Sequence, residues 1–136
     1  MIAPAATLIA RLIGPVFAVT GLGMLVNAKF YAAAVAEGAA SPVLIAISGI
    51  ATLAAGVAIL NAHRAWTADW RVLVTIIGWL FIIAGVIRLI LPTVAETVAP
   101  LVYSGPAALM LAGAVVLVIG AVLSFAGYRR DAKEGG

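Results

Sequence analysis

VLVTIIGWLFIIAGVIRLIL, residues 72–91, is a run of twenty residues with a single charged side chain, Arg88. About 20 apolar residues in a helix are enough to cross the hydrocarbon core of a bilayer. Because backbone groups in lipid must be hydrogen-bonded within the chain, this run predicts a helix, although Val and Ile favour strands in water. Residues 72–91 therefore indicate a membrane-spanning helix, which sets the fold class.

Three further apolar runs of similar length accompany it, at Ala6–Val26, Pro42–Leu60 and Pro106–Gly127. Hydrophobic residues make up 65% of the chain and charged residues 10%, whereas soluble domains average about half apolar and a quarter charged. So few charges cannot cover the surface of a water-soluble domain of 136 residues. We predict an all-α, four-helix transmembrane bundle that forms one domain over residues 1–136.

The links between the spans are of two kinds. Residues 61–71 are short, polar and aromatic, whereas residues 27–41 and 92–105 are longer and half apolar. Apolar side chains recur at helical spacing in the two longer links, which predicts short helices that lie in the membrane interface. Gly38 and Pro100 are expected to end or bend these short helices.

An internal repeat relates the two halves of the chain. A shift of 64 residues, with no gap, aligns Gly14/Gly78, Phe17/Phe81, Gly21/Gly85, Leu25/Leu89, Pro42/Pro106, Gly49/Gly113, Leu53/Leu117 and Gly56/Gly120. The alignment predicts repeats over residues 8–64 and 72–128, each consisting of a span, an interfacial helix and a span. Since two spans return each half to its starting side, the repeats are expected to be parallel, about an axis along the membrane normal.

Each span carries two glycines seven residues apart. The pairs are Gly14 and Gly21, Gly49 and Gly56, Gly78 and Gly85, and Gly113 and Gly120. Seven residues are nearly two helical turns, so each pair shares one face of its helix. Small residues allow the close contact on which helix association in lipid depends. We expect these faces to pack helices together in left-handed fashion; a substrate path and an oligomer face are the alternatives.

Basic residues are distributed unevenly between the two ends of the spans. The predicted side with both termini and the 61–71 link holds Arg11, Arg64, Arg71, Arg129, Arg130 and Lys133, and the other side holds Lys29 and Arg88. Because cytoplasmic loops carry the excess of Lys and Arg, both termini are predicted to be cytoplasmic. Residues 129–136 are then expected to form a solvated cytoplasmic tail, with a docking tail as the alternative. The net charge of +3 gives no sign of nucleic-acid binding.

The 61–71 link gathers His63, Trp66, Asp69 and Trp70. Trp beside Arg is typical of a membrane anchor, and Thr67 and Asp69 are suited to cap the following helix. The two Trp residues, four positions apart, are expected to stack at the start of that helix. A lone His without a second ligand type makes a poor metal site. Anchoring and capping are therefore the main interpretation, ahead of a headgroup or partner contact and of catalysis.

Charged and aromatic residues inside the spans are the remaining candidates. Arg11 and Arg88 lie within apolar runs, and charge inside a membrane marks function by default. Both are close enough to a span end to snorkel to the interface, and Arg88 can reach Glu96; an anion or lipid-headgroup site is the alternative. Trp79 falls near the middle of its span, where it is expected to pack in a glycine groove or line a small hydrophobic pocket.

The stretch from residue 63 to residue 92 resembles a motif of small uncharacterised bacterial four-span integral membrane proteins. The motif has His-x-x-Trp, then Thr-x-x-Gly-Trp, then Gly and Leu before Pro, here His63, Trp66, Thr75, Gly78, Trp79, Gly85, Leu91 and Pro92. Arg64 stands where the family pattern has Asn. The Gly-rich pair of spans is also similar, more loosely, to HdeD-like and DoxX-like membrane proteins. The resemblance implies a location in the bacterial inner membrane and assigns no reaction.

The sequence offers no reactive constellation and no cofactor motif. It has no Cys, no paired carboxylates and no glycine-rich phosphate loop. We therefore expect a non-catalytic accessory, assembly or stress-related protein, without cofactor or metal, that contacts membrane lipids, another membrane protein or a second copy of itself. A small transporter or channel that uses Arg11, Arg88 and Trp79 is the first alternative. A lipid or quinone enzyme that uses His63 and Asp69 is the second.

Overall fold

The computed structural model describes residues 5–63, 66, 68–102 and 105–134, with side chains as far as residue 129. Arg64, Thr67 and the side chains of Arg130 and Lys133, which the sequence analysis singled out, lie outside this part. The helices are α1 (Ala5–Val26), α2 (Ala28–Ala39), α3 (Pro42–Ala62), α4 (Arg71–Ile90), α5 (Pro92–Val102) and α6 (Pro106–Glu134). Helices α1, α3 and α4 and the segment Pro106–Arg129 of α6 are long and apolar enough to cross a membrane. The predicted all-α class with four such helices is confirmed.

Local sequence explains where several helices begin. Ser41 precedes α3, and its Oγ accepts a hydrogen bond from the Leu44 backbone N–H at 3.4 Å. Pro42 occupies the first turn, where its missing N–H leaves no intrahelical bond unmade. Helices α5 and α6 also begin at prolines, Pro92 and Pro106. A proline therefore begins the second helix at three of the four junctions between a short helix and a neighbouring span, and Asn27 separates α1 from α2 at the fourth.

Helix α6 continues beyond its membrane span. The span is predicted to end at Gly127, and the helix runs on to Glu134 through the residues predicted to form a solvated tail. This segment contains Ala, Arg, Lys and Glu, which are strong helix formers, so the helix continues without a break. Gly38 and Pro100 lie inside α2 and α5, within two residues of the end of each helix.

The four long helices pack as two antiparallel pairs, α1 with α6 and α3 with α4. Each pair takes one helix from each half of the sequence, and contacts between α1 and α3 are sparse. In the first pair Gly14 lies against Ser124, and Gly21 lies against Leu117, which fixes the antiparallel register. Helices α2 and α5 contact each other at one end of the bundle.

The core lies where the two pairs meet. Its buried residues are Ala10, Ile59, Val74, Ile77 and Leu123, with Ile9, Ile13, Phe17, Trp70, Leu73, Phe81 and Ile119 packed against them. Most of these fall into pairs 64 residues apart, including Phe17 and Phe81, whose ring centroids are 6.2 Å apart. Outside this core, large apolar side chains such as Leu12, Val19 and Leu111 are exposed, which suits a lipid surrounding.

Candidate functional site

Glycines bring the paired helices into backbone contact. A Cβ added at Gly120 would overlap the backbone nitrogen of Ala18 across the α1–α6 interface. Across the α3–α4 interface, a Cβ added at Gly56 would lie 2.7 Å from the backbone nitrogen of Ile82. All eight glycines singled out from the sequence lie at these two interfaces, where an added Cβ would come within 3.0 Å of the facing helix.

The two interfaces correspond residue by residue under the 64-residue shift. The matching contacts are Gly14–Ser124 with Gly78–Leu60, Gly21–Leu117 with Gly85–Leu53, Gly120–Ala18 with Gly56–Ile82, and Gly113–Met24 with Gly49–Arg88. Glycines at equivalent positions thus serve the two interfaces, while some of the residues that they face differ in chemistry. The largest such difference is between Met24, which faces Gly113 in the α1–α6 interface, and Arg88, which faces Gly49 in the α3–α4 interface.

A cavity of about 540 Å³ lies at the end of the bundle where α2 and α5 pack. It is lined by residues of all six helices: Met24, Tyr31, Val35, Gly38, Ala39, Leu44, Ile45, Ile47, Ser48, Arg88, Ala95, Ala99 and Leu109. Four pairs of these residues are 64 apart, namely Met24/Arg88, Tyr31/Ala95, Val35/Ala99 and Ile45/Leu109. We call it the axial cavity, because residues 64 positions apart in the two halves of the chain line it together.

Arg88 is the charged residue of the axial cavity. It lies in the last turn of α4, and its Nη1 donates a long hydrogen bond of 3.5 Å to Thr52 Oγ1. Thr52 in turn donates to the Ser48 carbonyl at 2.6 Å. A guanidinium has five N–H donors, and Thr52 is its one hydrogen-bond partner within the described part of the chain. Most of the hydrogen-bonding capacity of Arg88 is therefore available to a ligand or to water.

The acid expected to pair with Arg88 lies elsewhere. Glu96 is exposed and lines a separate pocket of about 370 Å³ with Ala36, Ala39, Ala40 and Pro100. It forms no ion pair with Arg88, and no Asp or Glu is among the described residues that line the axial cavity. Because arginine stays protonated in proteins, the axial cavity carries a positive charge that no described acidic side chain balances.

Arg11 lies at the opposite end of the bundle and is well bonded. Its Nε donates to the Gly127 carbonyl at 2.9 Å, and the Tyr128 hydroxyl donates to the Arg11 carbonyl at 3.3 Å. The guanidinium also lies 5.9 Å from the centroid of the Tyr128 ring. Arg11 therefore ties α1 to α6, which fits a structural role better than a ligand site.

The link between α3 and α4 holds the predicted polar residues Asp69 and His63, together with Trp66 and Trp70. Asp69 Oδ1 accepts a hydrogen bond from the Arg71 backbone N–H at 3.1 Å, so this carboxylate binds the first N–H of α4, although the N-cap residue itself is Trp70. His63 follows α3, and its backbone N–H donates to the Ile59 carbonyl at 2.7 Å. The Nε2 of His63 is buried and has no hydrogen-bond partner among the residues that the structure describes. The described residues contain no group of three or more His, Cys, Asp or Glu that could hold a metal ion.

The three tryptophans are placed differently from expectation. Trp66 is 68% exposed, whereas Trp70 packs against the core, so the two rings do not stack. The helix begins only at Arg71, which removes the helical spacing that stacking required. Trp79 is 46% exposed on the outer surface instead of packed in a glycine groove. The glycine before it faces α3, and the next residue points about 100° away around the helix.

Sequence reasoning missed Met24 and Tyr31 as residues of a site. Both are apolar or aromatic residues in an apolar chain, and neither carries a motif. A signal was nevertheless present, because the 64-residue shift aligns Met24 with Arg88 and Tyr31 with Ala95. At both positions the two halves differ in charge or size, and all four residues line the axial cavity.

The fold and the apolar surface together define a multi-pass integral membrane protein. Comparison of the chain with family models, with curated proteins and with solved structures found no match.

Proposed function

We propose that the protein is a non-catalytic accessory protein of the bacterial inner membrane, which acts by holding a membrane component in the axial cavity. The observation that carries the proposal is Arg88, a charged group facing a cavity of ligand-binding size among apolar walls. Charge within a membrane segment is costly and is usually retained for a function. Such a protein would serve in assembly or in the response to membrane stress, through contacts with lipids, another membrane protein or a second copy of itself.

We also infer that the chain arose by duplication of a unit of two spans and a short helix. The support is the matching of glycine contacts and core residues at a separation of 64. The unit corresponds to residues 8–64 and 72–128. Two parallel copies related by an axis along the membrane normal then meet at Phe17 and Phe81, and the axial cavity lies between them at one end.

A transporter or a membrane enzyme has less support. Of the three residues proposed to line a transport path, Arg88 lines the axial cavity, Arg11 is bonded at the other end, and Trp79 is on the outer surface. The enzyme hypothesis depends on His63 and Asp69 acting together. Asp69 instead accepts a hydrogen bond from the first backbone N–H of α4, which gives that carboxylate a structural role.

Filling the axial cavity tests the proposed function. The double variant Ala95→Tyr, Ala99→Val places in the second half the side chains found at the equivalent positions of the first half. It is expected to reduce co-purifying lipid to the detergent background, because the new side chains occupy the ligand volume. Native mass spectrometry of the purified protein measures the bound lipid, and circular dichroism verifies the fold.

Exposed alanines of α2 provide the matched control for that variant. Ala33 and Ala34 do not line the axial cavity, so Ala33→Tyr, Ala34→Val should retain bound lipid at the wild-type level. A folded cavity-filled variant that retains as much lipid as the control would contradict the proposed function.

The proposed orientation is tested by labelling single cysteines. The chain has no Cys, so each introduced thiol reports one position. In spheroplasts, a membrane-impermeant maleimide is expected to label Ala33→Cys, beside the axial cavity, and to label Asn61→Cys only after lysis. Both positions are exposed. The reverse pattern would place the termini outside the cell, against the inference from the basic residues.

A further inference from the structure

We propose that the ligand of the axial cavity is an anionic amphiphile, whose charged oxygens bind Arg88 and whose apolar body lies against the other walls. The proposal rests on the proposed function, since it names the class of molecule that the cavity holds. Carboxylate and phosphate groups share the required chemistry, because either can accept two parallel hydrogen bonds from a guanidinium.

The positive charge of Arg88 indicates that the ligand carries a negative charge. Its one described hydrogen bond, to Thr52, is long at 3.5 Å, and Thr52 already donates to the Ser48 carbonyl. A neutral hydroxyl offsets little of the cost of keeping a guanidinium in a membrane segment. An anionic oxygen group would form charge-assisted hydrogen bonds and balance the charge.

The other lining residues of the axial cavity indicate that the rest of the ligand is apolar. Beyond Arg88, Tyr31 and Ser48, the described lining residues are apolar, and the Ser48 hydroxyl already donates to the Ile45 carbonyl at 3.0 Å. A small hydrated anion would lose water at these walls without compensating contacts. A molecule with an alkyl chain would instead bury apolar surface against them.

The absence of acids among the described lining residues argues against a zwitterionic headgroup. The ammonium group of phosphatidylethanolamine would have no carboxylate to pair with, and an unpaired charge in an apolar site is costly. A ligand with a negative group and no cation is therefore favoured. Free long-chain carboxylates and phosphatidylglycerol-type lipids both meet this requirement.

The internal repeat supplies the substitution that tests the role of charge. Met24 lies at the position equivalent to Arg88 and lines the same cavity, so Arg88→Met introduces a side chain that this environment already accommodates. Arg88→Lys keeps the charge without the two-pronged geometry. Arg129→Met is the control, because it removes an equal charge from an exposed residue whose guanidinium lies over Phe125, outside the cavity.

The experiment measures binding to the full-length protein in a neutral detergent by equilibrium dialysis. The probes are oleate, oleyl alcohol, lysophosphatidylglycerol, lysophosphatidylethanolamine and inorganic phosphate. We expect oleate and lysophosphatidylglycerol to bind the wild type at least tenfold more tightly than the alcohol and the ethanolamine lipid do, and phosphate not to bind measurably. Arg88→Met should reduce anionic binding about tenfold to a hundredfold, as loss of a charged hydrogen-bonding group predicts. The affinity of Arg88→Lys for the anionic probes should lie between the affinities of the wild type and of Arg88→Met. The affinity of Arg129→Met should equal that of the wild type.

The outcomes of the experiment distinguish the two possible sources of the anionic group. They also distinguish failure of the ligand proposal from failure of the proposed function. Tighter binding of oleate identifies a free carboxylate as the source, and tighter binding of lysophosphatidylglycerol identifies a phospholipid. Unchanged anionic binding in Arg88→Met, equal binding of oleyl alcohol, or binding of phosphate alone would overturn the anionic-amphiphile proposal. If the alcohol binds equally and the cavity-filled variant loses it, the proposed function survives without this ligand class. If no amphiphile binds the wild type, the proposed function fails too.

Discussion

Gly120→Ala is expected to lower the thermal unfolding temperature of the purified protein, whereas Gly38→Ala leaves it unchanged or raises it. The new Cβ at position 120 would overlap the backbone nitrogen of Ala18, and a backbone atom cannot move aside without displacing α1. Overpacking of this kind typically costs about 1–3 kcal/mol. At Gly38 an added Cβ meets no atom within 4 Å, and alanine has the higher helix propensity.

A glycine-to-alanine substitution at the equivalent position of the α3–α4 interface tests the internal repeat as well. Gly56→Ala would place a Cβ 2.7 Å from the Ile82 nitrogen, so its loss of stability should resemble that of Gly120→Ala. Circular dichroism at increasing temperature in one detergent measures all three variants. If the two interface variants are as stable as Gly38→Ala, the helices do not pack through these glycines.

The second large effect is expected when the chain is divided in the link between α3 and α4. Fragments 1–65 and 66–136, co-expressed, should assemble into a complex with the helical content of the intact protein. Both principal helix pairs, α1–α6 and α3–α4, join one fragment to the other, and few contacts within the first fragment connect its own long helices. A tag on either fragment should therefore retain the other in mild detergent.

The control for reassembly alters only the faces that join the fragments. Gly21→Leu together with Gly56→Leu introduces bulk against α6 and α4 respectively, and recovery of the untagged fragment should then fall to background. Recovery of each wild-type fragment alone from the co-expressing cells would contradict the pairing of helices between the halves.

Hydropathy predicted where the long helices begin, to within one residue of each start. The reason is physical: lipid permits few alternatives to a helix for an apolar run of this length. The same rule does not identify which helices pack together. A glycine face such as that of Gly14 and Gly21 predicts a close neighbour, but the choice of α6 over α3 as that neighbour depends on tertiary structure.

The same limit of sequence-based prediction applies to the candidate site, as the two arginines within apolar runs show. Arg11 and Arg88 are alike in sequence, since each interrupts a span near one end. The fold places a carbonyl and a tyrosine beside Arg11 and an apolar cavity beside Arg88. Partners so distant in the chain leave no local pattern, so sequence alone could not separate a structural arginine from a candidate ligand-binding one.

The pairing of α1 with α6 has a consequence for biosynthesis. Of the four described spans, α1 is synthesised before the others and packs against α6, which is synthesised after them, whereas α3 and α4 are consecutive spans and can associate while synthesis continues. The order in which the spans enter the membrane therefore differs from the order in which they pack together. A nascent chain that terminates before Pro106 therefore contains an α1 whose glycine-lined face lacks its packing partner.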